Sequence, residues 1–203
     1  MPQSIPFTDW VYDAWDQLVL DKGAKLSFAE RYVGWRALYE RCYIDGKWTI
    51  PVHDAELVTS LGFYQGWETR SFQDSRDRVR ELLDHPDFAQ LSRWESHDWV
   101  AKEATATFLC GDTGHALGQL RRCLETRGHG ELVLLRASLY MLLEALGPDH
   151  VPSEGLVALV ADVIAAHPGR KRLAKSVRAA KTTSELQDAL DRSYVRPNGP
   201  ITR

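Results

Sequence analysis

The chain has 203 residues and a mass of 23.0 kDa, enough for one full domain with a buried core or at most two very small ones. With 44% apolar and 26% charged residues it is neither disordered, collagen-like nor a disulfide scaffold. A formal charge of −3 and a pI near 6.2 argue against the whole chain being a binder of polyanions.

The first residues, Met1-Pro2-Gln3-Ser4-Ile5-Pro6, show no basic region followed by an apolar core, so no secretory signal is expected. Thr8 is placed to cap a helix that carries Val11, Trp15 and Leu18 on one side. Asp9, Asp13 and Asp16 form an acidic stripe on the same helix, and Lys22-Gly23 is expected to close it. Ser27 and Glu30 then make a capping box. Phe28, Tyr32, Trp35, Tyr39 and Cys42 follow at steps of four and three, one seam of rings that is expected to pack as core. Arg36 and Glu40 pair on its flank. Between alternating apolar residues, Asp45-Gly46 signals a hairpin turn, and residues 43–51 are expected to form a loop with at most two short strands.

Further helices are expected over 53–66, 72–84, 87–94 and about 97–110, the last with Ser96 to Asp98 at its start. Gly111-Asp112 precedes a helix at 113–127, and His129-Gly130 one at 131–146. The latter is apolar nearly all round, so it should be central and buried. Helices near 153–166, 170–181 and 184–194 follow, then a loose tail at 197–203. The expectation is an all-α single domain of nine or ten short helices, as stacked hairpins or an irregular bundle. Gly111 to Leu117 is similar to a helix start of tetratricopeptide-type repeats, but no second copy follows at the roughly 34-residue period.

The halves differ. Of 20 aromatic residues, 17 lie in residues 1–99, including all seven tryptophans. Residues 1–111 carry 12 basic and 18 acidic groups, against 13 and 10 in residues 112–203, so the halves have opposite net charge. Cys42, Cys110 and Cys123 are odd in number and widely spaced, which suits free thiols in a reducing cytoplasm. The bias toward Ala, Arg, Leu and Gly suggests a bacterial source.

Three constellations bear on function. Trp10, Trp48, Trp67 and Trp94 sit at expected helix ends or loops, where a ring is partly exposed. With acidic Asp13 and Asp16 they suggest a protein-binding face: an adaptor, a toxin-neutralising protein or a subunit of a larger assembly. Second, Arg170, Lys171, Arg172, Lys175 and Arg178 give the 170–181 helix a cationic face that Arg121, Arg122 and Arg127 would extend. That face suits nucleic-acid phosphates. Third, His53-Asp54, His85, His97-Asp98 and Asp112 resemble the His, His-Asp, Asp series of all-α metal phosphohydrolases. Both His-Asp pairs are better read as helix starts, so no metal, cofactor or catalytic residue is assigned. The leading expectation is a non-enzymatic, cytoplasmic protein-binding module, with a nucleic-acid partner second and no membrane contact.

Overall fold

The computed structural model describes residues 8–19, 25–126 and 128–193. The described residues are 77% helical, in ten α-helices and short 3-10 turns, beside one two-stranded ribbon, so the fold class is all-α. The chain folds as two compact units, Met1–Trp99 and Val100–Arg203.

In the first unit, α1 runs Asp9–Val19 and α2 runs Phe28–Cys42. The α2 capping box forms as expected. Ser27 N–H donates to the Glu30 carboxylate at 2.7 Å, and Glu30 N–H donates to Ser27 Oγ at 3.3 Å. These bonds hold the Glu30 carboxyl below the usual range. Strands β1 (Tyr43–Ile44) and β2 (Lys47–Trp48) pair antiparallel across a turn with Asp45 at φ 50° and Gly46 at φ 75°. Two successive positive φ angles are the primed hairpin geometry that the Asp-Gly dipeptide favours. Helices α3 (Val52–Glu68) and α4 (Phe72–Leu83) pack closely. Gly66 allows it, because a Cβ there would lie 2.4 Å from Ser75 Oγ. The Ser75 hydroxyl instead donates to Phe63 O at 2.9 Å.

Thr8 does begin α1, its carbonyl accepting from Val11 N–H at 2.8 Å. Its hydroxyl, however, donates to the fully buried Asp54 carboxylate on α3, and its N–H lies 3.1 Å from Asp54 Oδ2. A further correction concerns residues 87–97. The expected helix at 87–94 is one 3-10 turn, Phe88–Gln90, and α5 starts earlier, running Arg93–Leu109. Ser92 and Glu95 make a reciprocal capping box there, at 2.8 and 3.3 Å. Ser96 to Asp98 therefore lie inside the helix instead of capping it.

In the second unit, α6 (Thr113–Glu125), α7 (His129–Leu146), α8 (Glu154–Ala166), α9 (Lys171–Val177) and α10 (Thr183–Ser193) join the end of α5. Leu135, Leu139, Leu142 and Leu143 of α7 are wholly buried against Leu156, Leu159 and Ile164 of α8 and Leu186 and Leu190 of α10. Val133 and Tyr140 face outward, so α7 is central but not covered all round. Asp112 caps α6 through His115 N–H at 3.3 Å. The helix expected at 170–181 stops at Val177, where Ala179 and Ala180 N–H turn back to Ser176 and Val177 carbonyls at 3.2 and 2.9 Å. Lys22-Gly23, Arg127 and the tail at 197–203 lie outside the described residues. No helix among the described residues is long and apolar enough to cross a membrane.

Candidate functional site

The α2 seam organises the first unit. Consecutive rings lie close: Tyr32 to Trp35 at 5.8 Å, Trp35 to Tyr39 at 5.5 Å and Tyr39 to Tyr43 at 5.3 Å between centroids. The hairpin folds Trp48 onto this row, 5.1 Å from Tyr43 and edge-on to Tyr39 at 6.0 Å. Trp35 is buried, and its indole N–H donates to Val58 O at 2.9 Å. A buried indole needs such a partner. Tyr32, by contrast, is 40% exposed.

The expected all-core stripe is thus corrected in one respect. Its outer rings wall an open pocket of about 250 Å³ between α2, α3 and α4. Tyr32, Trp35 and Tyr39 form the aromatic wall, and Gln65, Thr69 and Arg78 lie on the opposite elements. Tyr32, on the outer part of the seam, stays exposed to solvent, while Gly62 and Gly66, one turn apart on α3, are both on the pocket lining. The room a side chain would need is already taken, by the Trp35 ring at Gly62 and by Ser75 at Gly66, so the two glycines permit close packing beside the pocket. A smaller pocket of about 150 Å³ lies beside it, lined by Leu18, Val19, Phe28, Arg31, Leu61 and Tyr64, and Gln65 borders both.

Two ion pairs border the larger pocket. Arg78 lies 4.5 Å from the centre of the Tyr39 ring and 2.9 Å from the Glu81 carboxylate. Tyr39 O–H donates to Glu81 at 2.9 Å, and Trp48 indole N–H donates to Glu81 O at 2.8 Å. Burial raises the Tyr39 hydroxyl above its ordinary range, and the Glu81 charge adds to the shift. Burial also raises the Glu81 carboxyl, against the opposing pull of Arg78 and the Tyr39 hydrogen bond. Arg36 and Glu40 make the expected pair on the rim, at 2.9 Å. The pocket offers ring faces for stacking with balanced charge around them.

The four tryptophans singled out by sequence do not share one cluster. Trp94, in the first turn of α5, is the most exposed at 52%. Trp10 is 36% exposed, with the Arg41 guanidinium 4.3 Å from its ring centre. Asp13 is exposed and Asp16 half-buried on α1. Trp48 is half-buried in the α2 row. Trp67 is also half-buried, between Phe63 at 5.4 Å and Phe72 at 5.2 Å. Sequence reasoning misses Gly62, Gln65, Arg78 and Glu81. The one signal it offers is two glycines inside a helical run, which cost about 1 kcal/mol each unless packing needs them.

No family model, curated protein or solved structure matches this chain.

Within the first unit, His53, His85, His97 and their neighbouring aspartates do not gather as the phosphohydrolase resemblance implies. His85 is buried with both ring nitrogens engaged, Nε2 3.0 Å from Ile50 O and Nδ1 accepting Asp87 N–H at 3.0 Å. A ring held on both nitrogens has no lone pair for a metal. Asp54 is committed to Thr8. His53 instead meets Glu56 and Glu95, with the three ligand atoms all within 4.8 Å of one another.

On the second unit, Lys171, Arg172 and Lys175 of α9 are exposed. Arg170 is half-buried, and Arg178 donates to Asp162 on α8 at 3.1 Å. Arg121 lines a shallow depression shared with Glu125 and Asp162, so acidic groups interrupt the basic surface.

Proposed function

We propose that this chain is a helical protein-binding module whose first unit carries the docking face. The observation that supports it most is the open pocket walled by Tyr32, Trp35 and Tyr39. Tyr and Trp are the residues most enriched at binding hot spots, and a pocket lined by them receives an anchor side chain from a partner. The further exposed rings of Tyr12, Tyr64 and Trp94 add amphipathic surface on the same unit. The acidic stripe on α1 favours a partner with a basic surface beside its apolar anchor. This reading keeps the chain non-catalytic and makes it one component of an assembly.

The test is capture from native extract using wild-type protein, a Tyr32→Ala variant and a Val151→Ala control on the other unit. The reading requires a partner that survives nuclease treatment and is lost with Tyr32→Ala alone. A second reading, nucleic-acid binding, draws on exposed Lys171, Arg172 and Lys175. It requires instead that capture be abolished by nuclease and weaken steeply with salt.

A further inference from the structure

His53 and Glu56 are three residues apart in the first turns of α3, so the helix presents them on one side. Glu95 reaches them from the first turn of α5, and all three belong to the first unit. One imidazole nitrogen and two carboxylate oxygens lie within 4.8 Å of one another. In a tetrahedral shell, ligand atoms about 2.1 Å from zinc are roughly 3.4 Å apart. Small side-chain rotations therefore bring the three onto one ion. None of the three is fully buried, so an ion and a completing water can reach them.

The surroundings support ligation. Trp99 indole N–H donates to Glu56 Oε1 at 2.7 Å, and Ser92 N–H donates to Glu95 Oε2 at 2.8 Å. Fixed N–H donors of this kind orient ligating carboxylates and tune a site from outside it. The donor set also chooses the ion. Imidazole favours zinc and its first-row neighbours over magnesium or calcium, and two carboxylates disfavour soft monovalent copper.

We infer that His53, Glu56 and Glu95 form a binding site for one divalent first-row transition ion of zinc-like preference. Three protein ligands leave the fourth position to solvent, the arrangement of an open site rather than a closed structural one. The site is independent of the aromatic pocket and does not rest on the proposed protein-binding function.

The experiment is calorimetric titration of the full chain with zinc ion, in buffer without competing chelators. Wild-type protein should bind about one equivalent with a Kd below roughly 10 μM, and zinc should raise its melting temperature by mass action. His53→Ala should weaken binding at least about tenfold, and Glu95→Gln should do the same while keeping the Ser92 cap. His115→Ala, on an exposed residue of the second unit, should leave binding unchanged. Cobalt loading should give the visible absorption of a four- or five-coordinate ion in wild-type protein but not in His53→Ala. No saturable binding up to about 100 μM zinc overturns the inference, a concentration that would occupy a site of that Kd about nine-tenths. Equal binding by wild type and both site variants overturns it too, by placing the ion elsewhere.

Discussion

The Trp35 indole lies directly against the α3 backbone at Gly62: a Cβ built on Gly62 would sit 2.5 Å from Trp35 Cζ2. No real contact is that short, and the ring is held by its bond to Val58 O, so it cannot simply turn away. Gly62→Ala should therefore destabilise the protein by about 1–3 kcal/mol, the usual cost of overpacking, despite the better helix propensity of alanine. Gly118→Ala is the matched control. Gly118 lies inside α6 with nothing near its missing Cβ, so alanine there should stabilise by roughly 0.4–1 kcal/mol. Urea unfolding of both variants checks the pair. A neutral Gly62→Ala would show that α2 and α3 have room to separate.

What can be read from sequence follows the range of the interaction. The α2 seam, the Ser27–Glu30 box and the Asp45-Gly46 turn depend on neighbours within four residues, and all three form. The start of α5 differs from expectation because two local caps compete, and Ser92 with Glu95 makes two bonds where Ser96 offers only one acceptor. The pocket is hidden for another reason. A helical pattern states which side of α2 is apolar, but not how much of that side the neighbouring helices leave uncovered. The meeting of His53 with Glu95 spans 42 positions, and no spacing rule joins them. The aromatic excess of residues 1–99 is visible as composition, yet its division between α2, the Phe63 cluster and exposed rings requires the fold.

Asp54 and Thr8 make the next prediction. The carboxylate is wholly buried and takes both the N–H and the hydroxyl of Thr8, tying the start of α1 to α3. Hydrogen bonds to a charged group contribute about 1.5–3 kcal/mol, more than neutral ones. Asp54→Ala should cost at least that much and release the N-terminus of α1. Thr8→Ala keeps the backbone bond and should cost less. In a double-mutant cycle the two should couple by more than about 0.5 kcal/mol. Additive effects would mean that the bond carries no stability of its own.

Glu81 sets a sign for pH dependence. Its carboxyl is raised, by burial first, above the ordinary value near 4.3 that it takes in the unfolded chain. The folded state then holds the proton more tightly. Stability from this group is fully present below the unfolded value and is lost as pH rises through the raised folded value. Glu81→Gln removes that loss. The stability of the variant relative to wild type should therefore climb as pH rises above the ordinary carboxyl value of about 4.3. Denaturant midpoints measured at rising pH from that value provide the measurement, and a relative decline would contradict the assignment.

The thiols separate by depth. Cys42 and Cys123 are buried, and burial pushes each thiol up to about 11. At about pH 8 only on the order of one in a thousand of such groups is thiolate, the form that reacts. Cys110 is half-buried at the end of α5. Ellman's reagent should therefore titrate one thiol per native chain quickly, and the other two only in denaturant. In Cys110→Ser the fast phase should vanish. A fast phase that persists would mean that Cys42 or Cys123 is reached by local opening.

The aromatic residues of the first unit should divide into two classes. Trp35→Ala empties a buried site and leaves Val58 O without its indole donor, so it should cost about 3–5 kcal/mol of folding stability. Trp94→Ala removes a ring that is largely in water, and its stability should move by no more than about 0.5 kcal/mol. Tyr32 lies between these limits, its ring tilted against Trp35 and part of the pocket wall. Under the proposed function, Tyr32→Ala should cost at least about 2 kcal/mol of partner binding, a roughly thirtyfold loss of affinity. Its cost in folding should stay well below that of Trp35→Ala, because a part-exposed ring loses less buried area on truncation. Thermal melts and binding measurements on the same three variants separate the classes. If Tyr32→Ala lowers stability as much as Trp35→Ala and leaves partner affinity unchanged, the pocket wall is core packing, and the docking face lies elsewhere.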